Sequence, residues 1–191
     1  MTVLSAGRKL VLGLGNPGER YRATRHNLGF EVVGELARRR GWLLEQRQCR
    51  TLVAGDASLM VGQPQTYMNR SGFALRCLVE LHGFATTDVL VVYDDVALEL
   101  GRLRLRPAGS PAGHRGMESV VESLRTQEVP RLRLGIAPAE QPLASEQLAD
   151  FVLAPFAPGE RTAVADMLAR AADAAEAWIA EGIGPAMNRF N

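Results

Sequence analysis

Proton-transfer chemistry near neutral pH needs a side chain that exchanges a proton there, and His26 is the first such group in the chain. It lies in the polar run Tyr21-Arg22-Ala23-Thr24-Arg25-His26-Asn27, with no apolar run around it. Imidazole titrates nearest neutrality, so a general base is one reading. A histidine capping the helix that starts at Leu28 is the other, and spacing alone favours the cap. Asp94-Asp95 closes the expected strand Asp88–Tyr93. Neighbours on a strand point to opposite faces, so one Asp facing a site is expected rather than a chelate. With no H-E-x-x-H and no cluster of His with Asp at ligand spacing, no metal is expected. An Asp that orients a histidine and steadies its cationic form is the better functional use. Asn69 either caps a following helix or presents its amide to a substrate. The loop Gly109–Gly116 carries His114 and Arg115 into another helix. It is either an anion-holding helix start or an ordinary glycine-rich turn. No G-x-S-x-G elbow occurs, so a serine nucleophile has no support.

Those residues fall at the ends of a repeating pattern. Lys9–Leu14 reads as a buried strand, Leu59–Val61 as a short one and Asp88–Tyr93 as the central one. Arg102–Arg106 alternates Arg and Leu, giving a strand with one wet face, and Arg131–Ile136 is another. Helices are expected over Leu28–Arg40, Ser71–His82 and Gly116–Arg125, and from Pro158 to about Gly182. Strands alternating with helices imply an α/β fold: a single-domain three-layer sandwich over residues 1–191, with a mostly parallel (mixed) sheet, helices on both faces and a flexible segment at 1–8. Ligands of such folds sit beyond the carboxyl ends of the strands. The loops after Leu14, Val61, Tyr93 and Arg106 are therefore expected to converge.

Composition excludes several classes. The chain has 191 residues, 47% hydrophobic and 23% charged, which is ordinary for a globular protein. No apolar run approaches the ~20 residues a bilayer needs. Cys49 and Cys77 are too few for a disulfide scaffold and too far apart for a metal pair, so a reduced cytoplasmic setting is the default. Gly13-Leu14-Gly15-Asn16-Pro17-Gly18 matches G-x-G-x-x-G, but the apolar helical stripe starts only at Leu28, so nucleotide binding is not expected. Residues 1–133 hold 19 Lys+Arg and 13 Asp+Glu (+6), whereas 134–191 hold 3 and 8 (−5). All positive residues except Lys9 are Arg, which suits a phosphate-bearing partner, although compositional bias of the genome explains it equally well. Arg102, Arg104 and Arg106 share one strand face, and Arg131 and Arg133 repeat the pattern. Either this is protective edge charge or a phosphate-binding stripe.

Taken in order, Asn16-Pro17-Gly18, Tyr21, Thr24-Arg25-His26-Asn27, Pro64-Gln65-Thr66-Tyr67-Met68-Asn69-x-Ser71-Gly72, Asp94 and Gly113-His114-x-Gly116 resemble bacterial peptidyl-tRNA hydrolase. Arg131–Ile136 and Phe151-Val152-Leu153 extend the likeness toward the end of the chain. The resemblance implies hydrolysis of the ester joining a peptide to the terminal ribose of tRNA, by a monomeric cytoplasmic enzyme without metal, cofactor or membrane attachment. It assigns His26 as the base, Asp94 as its orienting partner, and Asn16 and Asn69 as amides around the ester. Tyr21, Tyr67, Met68 and His114 match residues lining the site. Arg104, Arg106 and Arg133 are the candidate tRNA contacts. Three departures stand out: Arg115 replaces the family's usual Asn, Gln63 replaces Lys, and Ala137–Gln147 lacks the expected basic residues. Arg115 is placed to meet acceptor-end phosphates but cannot copy an amide's acceptor oxygen. The alternatives are an RNA-binding relative with reduced or lost catalysis, and a small-molecule hydrolase on a similar fold.

Overall fold

The structure, a computed structural model, describes residues 7–138 and 144–191. Most of the segment expected to be flexible (residues 1–6) and the middle of Ala137–Gln147 lie outside the described residues. Seven strands form one sheet: β1 (Lys9–Gly13), β2 (Gln46–Gln48), β3 (Thr51–Gly55), β4 (Leu59–Pro64), β5 (Val89–Glu99), β6 (Leu103–Arg106) and β7 (Arg131–Ala137), in the order β2-β3-β4-β1-β5-β7-β6. The centre, β4-β1-β5-β7, is parallel, while β2 and β3 at one edge and β6 at the other run antiparallel to their neighbours. The helices are α1 (Leu28–Arg39), α2 (Ser71–His82), α3 (Arg115–Leu124), α4 (Leu148–Leu153), α5 (Arg161–Glu181) and α6 (Ile183–Phe190).

Parallel central strands are covered on both faces, so they read as continuous apolar runs. Val11, Leu90, Val92, Leu132 and Leu134 pack against α1, α5 and α6 through Val32, Val33, Leu36, Ala171, Trp178 and Ala186. Leu10, Leu12, Val89 and Val91 point the other way, onto Leu75 and Leu78 of α2 and Met117 and Val120 of α3. This is the expected three-layer α/β sandwich.

Two glycines of the G-x-G-x-x-G pattern, Gly13 and Gly15, serve packing, whereas Gly18 takes a positive φ of 107° with open space around it. A Cβ on Gly13 would lie 2.0 Å from the Gly29 carbonyl oxygen, and one on Gly29 would lie 2.4 Å from the Leu14 nitrogen. Side chains at these two positions would push α1 off β1 and displace the loop that carries Asn16.

Several expectations need correction. β5 does not stop at Tyr93 but runs on to Glu99, with a shift in its pairing to β7 between Asp95 and Glu99. The pair Asp94-Asp95 interrupts the apolar run there, so the sequence reads as a strand end although Val96-Ala97-Leu98 carries the strand on. The hairpin β2–β3 and the short helices α4 and α6 were not anticipated. Gln46–Gln48 is three polar residues at a sheet edge, which leaves no alternation to read. The cysteines are joined: Cys49 and Cys77 form a disulfide, because the β2–β3 turn lies over α2. Arg102 precedes β6 rather than belonging to it. No helix among the described residues is long and apolar enough to cross a membrane.

Candidate active site

β1, β4 and β5 end on the same edge of the sheet, and the loop after β6 returns to that edge to start α3. Together they enclose a cleft of about 710 Å³. His26 reaches it from a short 3-10 turn, Arg25–Asn27, immediately before α1. The preceding residue anchors that turn. Arg25 is buried, pairs with Glu160 at 2.8 Å, donates to the carbonyls of Ala154 and Pro155, and lies over the rings of Phe151 and Phe156.

Asp94 projects from β5 and is only 1% exposed. Its oxygens lie 2.8 and 2.9 Å from His26 Nδ1 and, through Oδ1, 3.2 Å from His114 Nε2. His114 Nδ1 accepts the Met117 N–H at 3.2 Å, capping α3. That bond settles the His114 tautomer: its proton is on Nε2 and is donated to Asp94. A carboxylate only accepts, so His26 must donate Nδ1–H, leaving Nε2 as an unprotonated base in the cleft. Burial by itself raises the Asp94 pKa. The positive charge that His26 carries when protonated, and the hydrogen bonds from His114 and His26, outweigh it, holding the group well below the usual carboxylate range.

Asn16 is fixed with equal care. Its backbone N–H donates to Asn27 Oδ1 and its carbonyl accepts from Asn27 Nδ2, both at 2.9 Å. Its side-chain oxygen accepts the Met68 N–H at 2.8 Å. The amide oxygen is therefore engaged, and Asn16 Nδ2 is the group left to donate into the cleft. Asn69 also lines the cleft and is exposed, with no side-chain hydrogen bond among the described residues. These groups supply a base, its orienting anion and at least one amide donor, the set needed to add water to a carbonyl.

Comparisons with known proteins agree with this chemistry. The peptidyl-tRNA hydrolase family matches over residues 10–191. The chain belongs to that family. It is 44% identical to the peptidyl-tRNA hydrolase of Methylacidiphilum infernorum, covering 95% of this chain and 97% of that one. It is 45% identical to that of Symbiobacterium thermophilum, covering 96% and 98%. The crystal structure of the peptidyl-tRNA hydrolase of Acinetobacter baumannii superimposes with a TM-score of 0.87 at 28% identity, covering 96% and 94%. The relatives named here are hydrolases, and nothing in the comparisons favours a relative without catalysis.

Most of the peptidyl-tRNA hydrolase motif residues meet in the cleft: Asn16, His26, Tyr67, Met68, Asn69, Asp94, Arg106, His114, Arg115 and Arg133 all line it. Tyr21 does not. Its hydroxyl accepts from the neighbouring Arg20 side chain. Arg104 is also outside the lining, but it is exposed on β6 directly across from Arg133. Arg133 forms an ion pair with Asp95, so its charge is already matched. Arg131 is not part of an exposed stripe. It is 1% exposed and binds the carbonyls of Val129, Ser110 and Gln127, fastening the loop before α3. Gln63, at the family's usual Lys position, donates to the Phe30 carbonyl at 2.8 Å and holds β4 to α1. Asn27 and Arg25 were quoted in the motif but given no role, because their partners lie on other segments. The donor atoms of His26, Asp94 and His114 lie within 4.8 Å of one another, spacing that a metal would fit. The sequence showed no such cluster because its members come from three segments, and the hydrogen bonds described already account for the closeness.

Proposed function

We propose that this chain hydrolyses the ester between a peptide and the 3′-terminal ribose of tRNA, with His26 as the base. His26 Nε2 takes a proton from water, and the hydroxide attacks the ester carbonyl. Asp94 steadies the imidazolium that forms. Asn16 Nδ2 donates to the oxyanion, with Asn69 as a second amide on the substrate. The tetrahedral intermediate then expels the ribose oxygen, which recovers the proton from His26. Tyr67 and Met68 line the peptide's path, and Arg106 and Arg115 meet phosphates of the acceptor end, with Arg104 and Arg133 alongside. His114 keeps Asp94 in place. The protein is read as a single unit acting as a cytoplasmic monomer, without metal or cofactor and away from membranes.

The observation carrying this reading is the free Nε2 of an imidazole whose other nitrogen is held by a buried anion. The experiment is turnover of an N-acetyl-aminoacyl-tRNA. Release of free tRNA supports the reading, whereas binding without release would favour the non-catalytic relative.

A further inference from the structure

A second cavity, of about 530 Å³, adjoins the catalytic cleft but shares none of its lining. The segment 66–70 separates the two. Tyr67, Met68 and Asn69 face the cleft, whereas the flanking Thr66 and Arg70 face the second cavity. Its other walls include Arg50, Phe73 and the Cys49–Cys77 bridge.

Two elements build it. Cys49-Arg50 is the two-residue turn of the β2–β3 hairpin, with φ of 49° and 54°. The bridge to Cys77 and a 2.6 Å bond from the Gln65 N–H to the Arg50 carbonyl hold that turn in place. On α2 and the residue before it, Arg70, Phe73 and Cys77 follow one another at spacings of three and four, so they share a helix face. Arg50 and Arg70 are thus brought to one cavity from two directions. Neither has a side-chain carboxylate or hydrogen-bond partner among the described residues. Thr66 is 8% exposed, and its hydroxyl is buried without a hydrogen-bond partner among the described residues. Phe73 is 69% exposed.

Two unmatched guanidiniums repel each other unless an anion lies between them, and their forks fit phosphate oxygens. A buried hydroxyl lacking a partner is costly to leave unsatisfied and can donate to the same anion. An exposed aromatic face takes a base by stacking, whatever the base is. We infer that this cavity binds one nucleotide of a single-stranded RNA, its phosphate between Arg50 and Arg70 and its base on Phe73. Nothing in the reaction described above uses these residues. Identifying the strand as the substrate's unpaired end rests on the peptidyl-tRNA reading; the phosphate-plus-base chemistry does not.

The full chain, with its disulfide intact, is titrated with a tetracytidine oligoribonucleotide and, separately, with cytidine monophosphate, following backbone amide resonances. The account expects saturable shifts at Arg50, Thr66, Arg70 and Phe73, and tighter binding of the oligonucleotide than of the mononucleotide. Arg50→Ala and Arg70→Ala each weaken oligonucleotide binding and lower its salt slope by about 1. Phe73→Leu, which keeps an apolar side chain on an exposed surface, weakens it at least ~5-fold. On N-acetyl-aminoacyl-tRNA the same variants raise KM while kcat stays within about twofold. Shifts confined to the catalytic cleft, or variants that bind like the parent, would overturn the site. Equal affinity for the mononucleotide would overturn its assignment to a strand. Oligonucleotide binding that depends on Arg50 in a protein without any turnover would sink the hydrolase reading and leave this site standing.

Discussion

A carboxylate with 1% of its surface exposed stays charged only if donors replace the water it has lost. Asp94 has two, His26 and His114, and their placement decides what His26 can do. Asp94→Asn keeps the shape but offers an N–H where His26 needs an acceptor, which favours the opposite tautomer. By analogy with the same exchange in a serine protease triad, kcat should fall by ~10⁴. Asn16→Ala should lower kcat by ~10²–10³, the loss seen for one oxyanion donor. Because Asp94 is held well below the usual carboxylate range, its own protonation should add nothing to the acid limb of kcat/KM at mildly acidic pH; a limb steeper than one proton there would contradict this. At this scale the sequence showed which residues to consider but not how they pair. Spacing alone favoured a structural role for His26, since its partner lies 68 residues away. Arg131 was misread for a related reason: alternation along a strand cannot reveal that backbone carbonyls wait for one of its arginines.

Elements hold the catalytic turn by long-range ties. Thr24 bridges to Pro155, and Arg25 reaches Glu160 across the start of α5. The His26 turn is thus clamped between β5, through Asp94, and the C-terminal segment around α4 and the start of α5. Arg25→Ala leaves Glu160 with only the Ala157 N–H among the described residues and removes the cation from over the rings of Phe151 and Phe156. It should destabilise the fold by about 3 kcal/mol, read from the urea midpoint, and lower kcat more than it raises KM. An effect on stability with kcat unchanged would show that the clamp does not position His26. The long apolar strands and amphipathic helices were legible, because burial on one or both faces leaves a period. The hairpin β2–β3 was less so. Its turn is Cys-Arg at positive φ, where Asn-Gly is the usual signal, and a disulfide across 28 residues holds it. In the glycine pattern at the end of β1, Gly13 lies against Gly29 and Gly15 against Phe30, close approaches that the sequence alone did not show.

Across the whole molecule, part of the charge asymmetry is internal. Arg39 on α1 pairs with Glu35 on its own helix and with Asp173 and Glu176 on α5, and Arg40 pairs with Glu176. Hydrogen bonds from Arg38 and Arg39 lower the Glu35 pKa to about 2. The basic N-terminal portion and the acidic C-terminal portion therefore neutralise one another away from the cleft, and fewer arginines remain for a partner than the raw count implied. Those at the cleft's rim matter more. Arg106→Ala should raise KM for N-acetyl-aminoacyl-tRNA and reduce the slope of log KM against log salt by about 1. An unchanged slope would remove Arg106 from the phosphate contacts.

The central claim is that water is activated by His26, and single turnover tests it most directly. With His26→Ala in excess over N-acetyl-aminoacyl-tRNA, the bound fraction should match the parent protein while release of free tRNA slows by at least ~10². Release at the parent's rate from the same bound complex would contradict the account.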